Sequence, residues 1–357
     1  MKSPFRISVV MATYNRAQTL MRTLDHLAKQ TLPKSDYEVI VVDDGSPDDT
    51  ERVVAELRGS LPFELTFMRH PNQGPGYTQN RGLRVARAPL VLLMADDILL
   101  APGALEGHVR AHEEHPEPQV AVLGKVVQAP HLDQTVFLRK WDPFKFRDFE
   151  GIRELPYFFF WACNISCKRD FMLAHGMFRD RRGRAGAAAH EDVELGYRLS
   201  RHGLRIIYCG DAFGHHYHIE TLDGACRRAY ERGLNWEEFR ELVDDPEISV
   251  RYHVLTRRTI SDYAGAFRRG NPQLGADRNP VALFGRIALR MALFNAFTVP
   301  HLWLPLARLA ERSRAASHLM HRQFYRGIIS YHFFKGVADG DAIGRDGKGT
   351  SPHVHQR

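Results

Sequence analysis

Short apolar runs alternate with longer amphipathic stretches over the first hundred residues. The continuous apolar runs predict four strands, at 7–12, 38–42, 65–69 and 90–94. Helical periodicity between them predicts helices at 17–30, 49–58 and 76–86. Because the strands are apolar on both faces, we expect a mostly parallel sheet flanked by helices. This strand–helix alternation is typical of a nucleotide-binding α/β domain.

Polar residues follow each of the four predicted strands. These follow-on segments are 13–16, 43–46, 70–74 and 95–97. Ligands of open α/β sheets bind beyond the carboxyl ends of the strands. We therefore expect one ligand site at this edge of the sheet.

The second half of the chain is less regular. It predicts a loop-rich segment at 130–157, a strand at 161–168, a short helix at 169–175, a helix from 190 to 202 and a strand at 205–208. A chain of 357 residues exceeds the usual size of a single core. We expect a main domain over 1–220, a helical region over 221–338 and a disordered tail over 339–357.

Charge is unevenly distributed along the chain. The formal net charge is +7, but residues 251–357 alone carry 17 Lys and Arg against six Asp and Glu. Such a basic region can face anionic lipid head groups, a phosphate-bearing acceptor or only solvent. No zinc-finger spacing or RNA-binding aromatic motif is present, so we expect no nucleic-acid partner.

The segment 280–307 is the most apolar part of this basic region. Arg286 and Arg290 lie one helical turn apart within it, and Pro300 and Pro305 interrupt its second half. A membrane-spanning helix needs about 20 apolar residues nearly free of charge, so this segment does not qualify. It fits an amphipathic helix at a membrane surface, or a helix packed on the main domain or on a second subunit.

The N-terminus and the cysteines indicate the compartment. The chain runs from Met1 into the first strand without a secretory signal, and its four cysteines lack the spacing of a disulfide framework. We expect the protein to stay in the cytoplasm. If 280–307 is the membrane-surface helix, and not a helix packed on the main domain or a second subunit, it contacts the inner face of the membrane peripherally.

The order of the motifs resembles the inverting family 2 glycosyltransferases, which have the GT-A fold. The matching segments are 9–16, 41–46, 72–76, 95–97, 164–166 and 190–199. The resemblance covers about residues 7–218. The Gln-x-x-Arg-Trp element of processive polysaccharide synthases is absent, so the resemblance is to non-processive members. It implies transfer of a sugar from a nucleotide sugar, such as a UDP-sugar, to a hydroxyl of a glycan or lipid-linked acceptor in cell-surface glycan synthesis.

The resemblance implies a donor side built around a divalent cation. A departing diphosphate needs its charge neutralised, for which Mn2+ or Mg2+ on oxygen ligands is suited. Asp97 is the expected ligand, with His216 preferred over His218 as a second one. The implied nucleotide-sugar contacts are Thr13, Tyr14, Arg16, Asp43, Asp44, Asn72, Gly76 and Asp96. The alternative for the pairs Asp43-Asp44 and Asp96-Asp97 is that they form only turns or helix caps, as adjacent Asp residues do in most sequences.

The resemblance also implies an acceptor side with a general base. A hydroxyl is a poor nucleophile at neutral pH, so a carboxylate must take its proton. Asp192 is the implied base, Glu191 the supporting carboxylate, and Trp161 and Asn164 the implied acceptor-side residues. Helix capping by acidic residues and core packing of Trp161 are the alternatives.

Two other functions remain open at this stage. A nucleotidyltransferase would use a related sheet and acidic metal ligands, but the segment 13–16 is not a Gly-rich triphosphate loop. A catalytically silent sugar-binding scaffold is the other alternative, and the intact Asp97 and Asp192 argue against it.

Overall fold

Nine strands form one mixed sheet in the part of the chain that this computed structural model describes. The described residues are 4–130, 132, 135–141, 146–149, 151–179, 190–245, 248, 252 and 280–345. The strands are β1 (Ile7–Thr13), β2 (Tyr37–Asp43), β3 (Glu64–Arg69), β4 (Leu90–Ala95), β5 (Ile98–Leu100), β6 (Val120–Gln128), β7 (Glu154–Leu155), β8 (Asn164–Lys168) and β9 (Arg205–His216). Their order is β3-β2-β1-β4-β8-β6-β9-β5, and β7 pairs with β9.

The first four strands are parallel, as predicted. The strand β1 lies between β2 and β4, and β3 flanks β2. Every residue of β2, and all but one residue of β1 and of β4, are buried. These continuous apolar strands form the main core, since a strand covered on both faces excludes water from all of its side chains.

The other half of the sheet makes it mixed. The strand β8 runs antiparallel to both β4 and β6, whereas β9 runs parallel to β6. The α/β class predicted from the sequence is confirmed. The strand predicted at 161–168 begins only at Asn164.

Helices occur between and after the strands in chain order. They are α1 (Ala17–Ala28), α2 (Thr50–Arg58), α3 (Pro75–Val85), α4 (Ala104–Glu114), α5 (Val136–Lys140), α6 (Arg169–His175), α7 (Glu191–Ser200), α8 (Leu222–Leu234) and α9 (Trp236–Leu242). Helix α3 packs against β1 and β2, and α4 packs against β6 and β9.

The described residues divide into two compact units. The first is drawn from 1–132 and 142–218 and contains the sheet, and the second is drawn from 133–141 and 219–357. The second unit is helical, with α5, α8, α9 and the later helices Pro280–Leu293, Leu304–Arg312, Arg314–Leu319 and Arg322–Arg345.

The expectation of a disordered tail from residue 339 is wrong for 339–345. The helix Arg322–Arg345 continues through these residues. Tyr230 of α8 donates a hydrogen bond to Asp339, and Gly340 lies so close to Leu234 that a Cβ there would be 2.7 Å from the Leu234 carbonyl oxygen. Packing against α8 thus stabilises a helix end whose sequence is polar. Residues 346–357 lie outside the described part of the chain.

Candidate active site

The carboxyl ends of β1, β2 and β4 lie level with one another. Thr13 pairs with Asp43 in the register of β1 and β2, and Ala12 pairs with Ala95 of β4. The polar segments that follow these strands therefore meet at one edge of the sheet. This edge is the candidate active site.

Asp43, the last residue of β2, is fully buried. Its Oδ1 accepts hydrogen bonds from the amide and the hydroxyl of Ser46. Its Oδ2 lies 3.3 Å from Arg69 Nε and accepts no hydrogen bond from any described residue. Because a buried polar atom without a hydrogen bond is costly, this oxygen is suited to accept one from a ligand.

Asp44 has a different environment. Its Oδ1 accepts a hydrogen bond from the Gln73 amide at 2.7 Å, and its Oδ2 accepts one from the Gly74 amide at 3.0 Å. Both oxygens are thus used to hold the loop that precedes α3. Asn72 lies exposed in the same loop. Asp44 therefore positions this loop, in which the sequence had placed a donor contact.

Asp96 and Asp97 lie between β4 and β5 and are only 4% and 5% exposed. Thr13 Oγ1 donates a hydrogen bond of 2.7 Å to Asp96 Oδ2. Arg16 Nη1 lies 3.0 Å from Asp96 Oδ1 and 2.6 Å from Asp97 Oδ2. The guanidinium group is shared by both carboxylates, which offsets their mutual repulsion.

The two carboxyl groups have opposite pKa shifts. Burial raises the pKa of Asp96, and the neighbouring Asp97 charge raises it further. Burial also acts to raise the pKa of Asp97, but the hydrogen bond and charge of His216 and the charge of Arg16 outweigh it and lower this pKa. Asp97 is therefore the more readily ionised of the pair, as a metal ligand must be.

His216 ends β9 and faces Asp97. Its Nε2 lies 3.6 Å from Asp97 Oδ2, and its Nδ1 lies 3.4 Å from Gln128 Oε1. Gln128 also donates a hydrogen bond of 2.8 Å to the His218 carbonyl oxygen. The lowered pKa of Asp97 corresponds to an Nε2–H group that donates towards Asp97. With an ion bound, Nε2 would lose this proton and Nδ1–H would donate to Gln128. Gln128 is thus placed to orient His216, as outer hydrogen-bond partners orient histidines that bind metals.

Asp97 and His216 fit a Mn2+ or Mg2+ ion. Adjacent ligands of an octahedral ion lie about 3 Å apart, since each is about 2.1 Å from the metal. The 3.6 Å between Asp97 Oδ2 and His216 Nε2 is close to this spacing. No cluster of three or more metal-binding side chains occurs within the described ranges.

Glu191 and Asp192 begin helix α7, as predicted. Asp192 Oδ1 accepts a hydrogen bond of 2.9 Å from the Val193 amide. Amide dipoles at a helix N-terminus favour the ionised carboxylate. The preceding His190 is buried and has a φ of 63°. Such strained backbone is often found at functional sites.

Cys163 lies close to the end of β4, since its carbonyl oxygen accepts a hydrogen bond of 3.2 Å from the Ala95 amide. Burial raises the pKa of this thiol, and the charges of Asp192 and Asp97 raise it further. Both carboxylates therefore lie near the same side chain. The loop held by Asp44 also leads to Gly76, which lies against Glu191, so the start of α7 is beside the candidate active site.

Gly76 contacts the acidic pair at the start of α7. A Cβ built on Gly76 would lie 3.0 Å from Glu191 Oε2 and 2.9 Å from Phe178 Cβ. The sequence had placed this glycine on the nucleotide. The structure places it in the first turn of α3, buried against Glu191.

The acceptor-side prediction for Asn164 is wrong. Asn164 is fully buried, its Oδ1 lies 3.0 Å from His108 Nε2, and its Nδ2 donates a hydrogen bond to the Ala212 carbonyl oxygen. Its amide group is used inside the protein, because β8 runs between two other strands. Trp161 is partly exposed and packs edge-on against Phe146 at 5.5 Å. Tyr14 is also partly exposed, in the segment after β1.

Comparison with known proteins identifies the domain that carries this site. Residues 8–172 match the model of the family described as "Glycosyl transferase family 2". The chain contains a family 2 glycosyltransferase domain. Asp97 lies within the matched segment, and Asp192 and His216 follow it.

Two groups of curated relatives resemble the family 2 domain. Validoxylamine A glucosyltransferase of Streptomyces hygroscopicus is 32% identical over 234 residues, which cover 58% of this chain and 54% of that protein. Poly(ribitol-phosphate) beta-N-acetylglucosaminyltransferase TarS of Staphylococcus aureus is 30% identical over 132 residues, which cover 37% of this chain and 23% of that protein. The chain spans about half the length of the first relatives or less.

A solved structure supports the fold. The mannosyltransferase PcManGT of Pyrobaculum calidifontis, in complex with GDP-Man and Mn2+, aligns with a TM-score of 0.57 at 20% identity. The alignment covers 95% of this chain and 88% of that chain. The predicted GT-A fold with a helical C-terminal region is confirmed.

The sequence analysis did not identify two of the residues at the site of the family 2 domain. Gln128 ends β6, a strand that the sequence analysis did not predict, although the apolar run at 120–123 was a usable signal. The sequence analysis assigned Cys163 no role at the site. Its place at the end of β4, where its carbonyl oxygen accepts from the Ala95 amide, depends on the pairing of β4 with β8.

Proposed function

We propose that the family 2 domain transfers a sugar from a UDP-sugar to a hydroxyl group, with inversion at the anomeric carbon. The observation that carries this proposal is that the loop held by Asp44 at the strand ends leads to Gly76, which lies against Glu191 beside Asp192 at the start of α7. Sugar transfer needs an ionic group beside the leaving diphosphate and a base beside the acceptor, a few ångströms apart. Asp97 and Asp192 are proposed to supply these two groups.

The donor nucleotide is proposed to lie across the ends of β1, β2 and β4. Asp43 Oδ2 is the buried acceptor suited to an N–H of the base. Asp96, held by Thr13 and Arg16, is proposed to accept from the ribose hydroxyls. Tyr14 follows β1 at the same edge and is proposed to cover the base.

Asp97 and His216 are proposed to hold Mn2+ or Mg2+. The bound ion would neutralise charge on the departing diphosphate. Gln128 orients the imidazole, and the lowered pKa of Asp97 keeps its carboxylate ionised. Substrate phosphates commonly complete the ligand set of such ions, so two protein ligands suffice.

Asp192 is proposed to act as the general base. It takes the proton of the acceptor hydroxyl as the hydroxyl oxygen bonds to the anomeric carbon, and the bond to the diphosphate breaks on the opposite face. The Val193 amide stabilises the carboxylate, and Glu191 supports it from the first turn of the same helix. One displacement of this kind inverts the configuration.

The acceptor is proposed to be a polyhydroxylated molecule on the route to a cell-surface glycan. The names of the relatives support this class, because validoxylamine A and poly(ribitol phosphate) both carry many hydroxyl groups. The partly exposed Trp161 is proposed to stack on the acceptor, since sugar rings pack well on aromatic faces.

The second unit is proposed to rest on an anionic membrane surface. Large apolar side chains are exposed along one of its segments, namely Leu289, Met291, Leu293, Phe297, Leu302 and Leu309. Arg290, Arg322 and Arg326 make no ion pair with any described residue, and burial and then Arg326 lower the pKa of Arg290. Unpaired cations beside exposed apolar residues favour anionic lipid. Within the described ranges, no helix has the length and apolar character to cross a bilayer.

A thermal-shift panel tests the donor proposal. UDP, GDP and their sugar conjugates are each added with Mn2+ or with EDTA. We expect UDP-sugars to raise the melting temperature only with the metal. Equal stabilisation by UDP-sugars in EDTA would contradict the metal proposal, and no stabilisation by any nucleotide sugar would contradict the donor proposal.

A further inference from the structure

A cleft of about 620 Å³ lies in the first unit, at the end of the sheet opposite the candidate active site. It is bordered by Leu90, the first residue of β4, and by Lys168, which pairs with Leu90 at the end of β8. The active site follows the other end of β4. The charged residues that line the cleft are Arg6, Arg87, Lys168, Arg169, Glu113 and Asp170. This volume is typical of small-molecule sites.

Lys168 differs from the other cations of the cleft. Arg6 pairs with Glu113, and Arg87 pairs with Glu38. The Lys168 ammonium donates instead to two neutral acceptors, the His112 Nδ1 at 2.8 Å and the His115 carbonyl oxygen at 2.6 Å. No described carboxylate lies within ion-pair distance of it, and its third N–H has no acceptor among the described residues.

Lys168 begins a buried chain of hydrogen bonds. An ammonium can only donate, so His112 Nδ1 must accept and His112 Nε2 must donate to Ser166 Oγ at 2.9 Å. The Ser166 hydroxyl then donates to His108 Nδ1 at 2.8 Å. His108 Nε2 donates to Asn164 Oδ1 at 3.0 Å. The charge of Lys168 thus sets the tautomer of both histidines.

The chain of hydrogen bonds holds Lys168 in place. Ser166 and His108 are fully buried and His112 is 4% exposed, so their partners cannot be replaced by water without cost. The ammonium is therefore kept at the wall of the cleft instead of extending into solvent. Arg169 lies next to it. Its Nη1 is 3.4 Å from Asp170 Oδ1, and its buried Nε has no hydrogen-bond partner among the described residues.

We propose that this cleft binds a small organic anion, whose phosphate or carboxylate group accepts hydrogen bonds from Lys168 and Arg169. A partly buried cation that is not in direct contact with a carboxylate gains more from a bound anion than an exposed one does. Phe5, Pro89 and Val109 also line the cleft, so the anion is expected to carry an apolar body. The proposal concerns a site separate from the sugar-transfer site and does not depend on it.

Calorimetry and NMR of the full chain test the proposal with phenyl phosphate, benzoate and inorganic phosphate as probes. Phenyl phosphate also resembles part of a nucleotide, so the histidine ring signals are needed to locate binding. We expect phenyl phosphate or benzoate to shift the 15N signals of His112 and to bind at least tenfold more tightly than inorganic phosphate. Equal affinity for inorganic phosphate would overturn the expected apolar body and with it the proposed ligand class.

Lys168→Met removes the charge, and Arg169→Gln removes the neighbouring donor without touching the hydrogen-bond chain. Both variants should weaken phenyl phosphate or benzoate binding at least tenfold. Lys29→Met is the matched control, because Lys29 is an exposed lysine paired with Asp25 and should bind as the wild type. Wild-type affinity in both cleft variants, or binding that leaves the His112 signals unchanged, would overturn the proposal.

Discussion

At the residue scale, the lack of a side chain at Gly76 makes room for the Glu191 carboxylate. Gly76→Ala should push this carboxylate and the start of α7 away from the acceptor. We expect turnover to fall by about tenfold to a hundredfold, since a displacement near 1 Å at a reacting group has effects of this size. The free energy of unfolding should fall by about 1–3 kcal/mol. Transfer assays and urea unfolding measure the two effects.

The matched control for this prediction is Gly103→Ala. A Cβ at Gly103 meets no atom within 4 Å, so turnover and stability should stay near wild type. UDP binding should also survive in Gly76→Ala, because Glu191 is assigned to the acceptor side. An active Gly76→Ala enzyme would show that Glu191 tolerates displacement and does not support the base.

The buried histidines His108 and His112 lead to a second prediction at the residue scale, which concerns the pH dependence of stability. Burial lowers the pKa of His108 to about 4 and that of His112 to about 3, below the value of about 6.5 in an unfolded chain. The unfolded state therefore binds more protons between about pH 4 and pH 6.5, so the stability contributed by these residues is complete above pH 6.5 and is lost as the pH falls. Each proton contributes about 1.4 kcal/mol per pH unit.

His112→Gln should reduce this pH dependence by about one proton. The glutamine oxygen can still accept from Lys168, so the variant should fold. Urea unfolding of both proteins at several pH values from 4.5 to 7.5 measures the slopes. Identical slopes would mean that His112 is not kept neutral by burial.

Asp43 and Asp44 illustrate what the sequence alone could not predict at the site. Asp43 and Asp44 are chemically identical neighbours, and the sequence placed both on the nucleotide. Hydrogen bonds to Gln73 and Gly74 occupy Asp44, whereas one oxygen of Asp43 lacks such a bond. These partners are distant in sequence, so no local pattern could separate the two roles.

At the element scale, β9 is the clearest difference between prediction and structure. Gly210 and Asp211 resemble a turn, so the sequence predicted a strand that ended at residue 208. In the structure β9 continues to His216, with a register shift opposite Gly124 and Val126. The parallel strands at 7–13 and 37–43 were predictable because each contains an uninterrupted apolar run, at 9–12 and 39–42. A bulge depends on the neighbouring strand, which the local pattern does not contain.

The membrane surface of the second unit is also tested at the element scale. The double variant Phe297→Glu with Leu302→Glu should reduce binding to phosphatidylserine vesicles by about a hundredfold. Each exposed apolar side chain contributes about 1.5–3 kcal/mol when buried, and the added charges oppose the anionic lipid. Vesicle flotation measures the bound fraction.

The control for vesicle binding is the double variant Ile152→Glu with Leu173→Glu. These residues are 44% and 37% exposed and belong to the first unit. The control should bind vesicles as the wild type does. Equal loss in both double variants would mean that added negative charge alone is responsible and that the apolar segment is not the contact.

At the scale of the whole molecule, the proposed chemistry extends beyond the segment that matches the family. The donor side comes from the strands β1, β2 and β4 inside residues 8–172, while Asp192 and His216 come from α7 and β9. The sheet brings them together, since β9 pairs with β5 directly after Asp97. A fragment that ends at residue 172 should therefore lack both the base and the second metal ligand.

The central claim is that Asp97 and Asp192 perform separable tasks in one site. Transfer from the active UDP-sugar and Mn2+-dependent UDP binding should be measured together in Asp97→Ala, Asp192→Asn and Glu191→Gln. We expect Asp97→Ala to lose both, and Asp192→Asn to keep binding while its turnover falls at least about a hundredfold, as for a lost general base. Glu191→Gln should retain more activity than Asp192→Asn. Near wild-type transfer by Asp192→Asn, or full metal-dependent UDP binding by Asp97→Ala, would contradict the account.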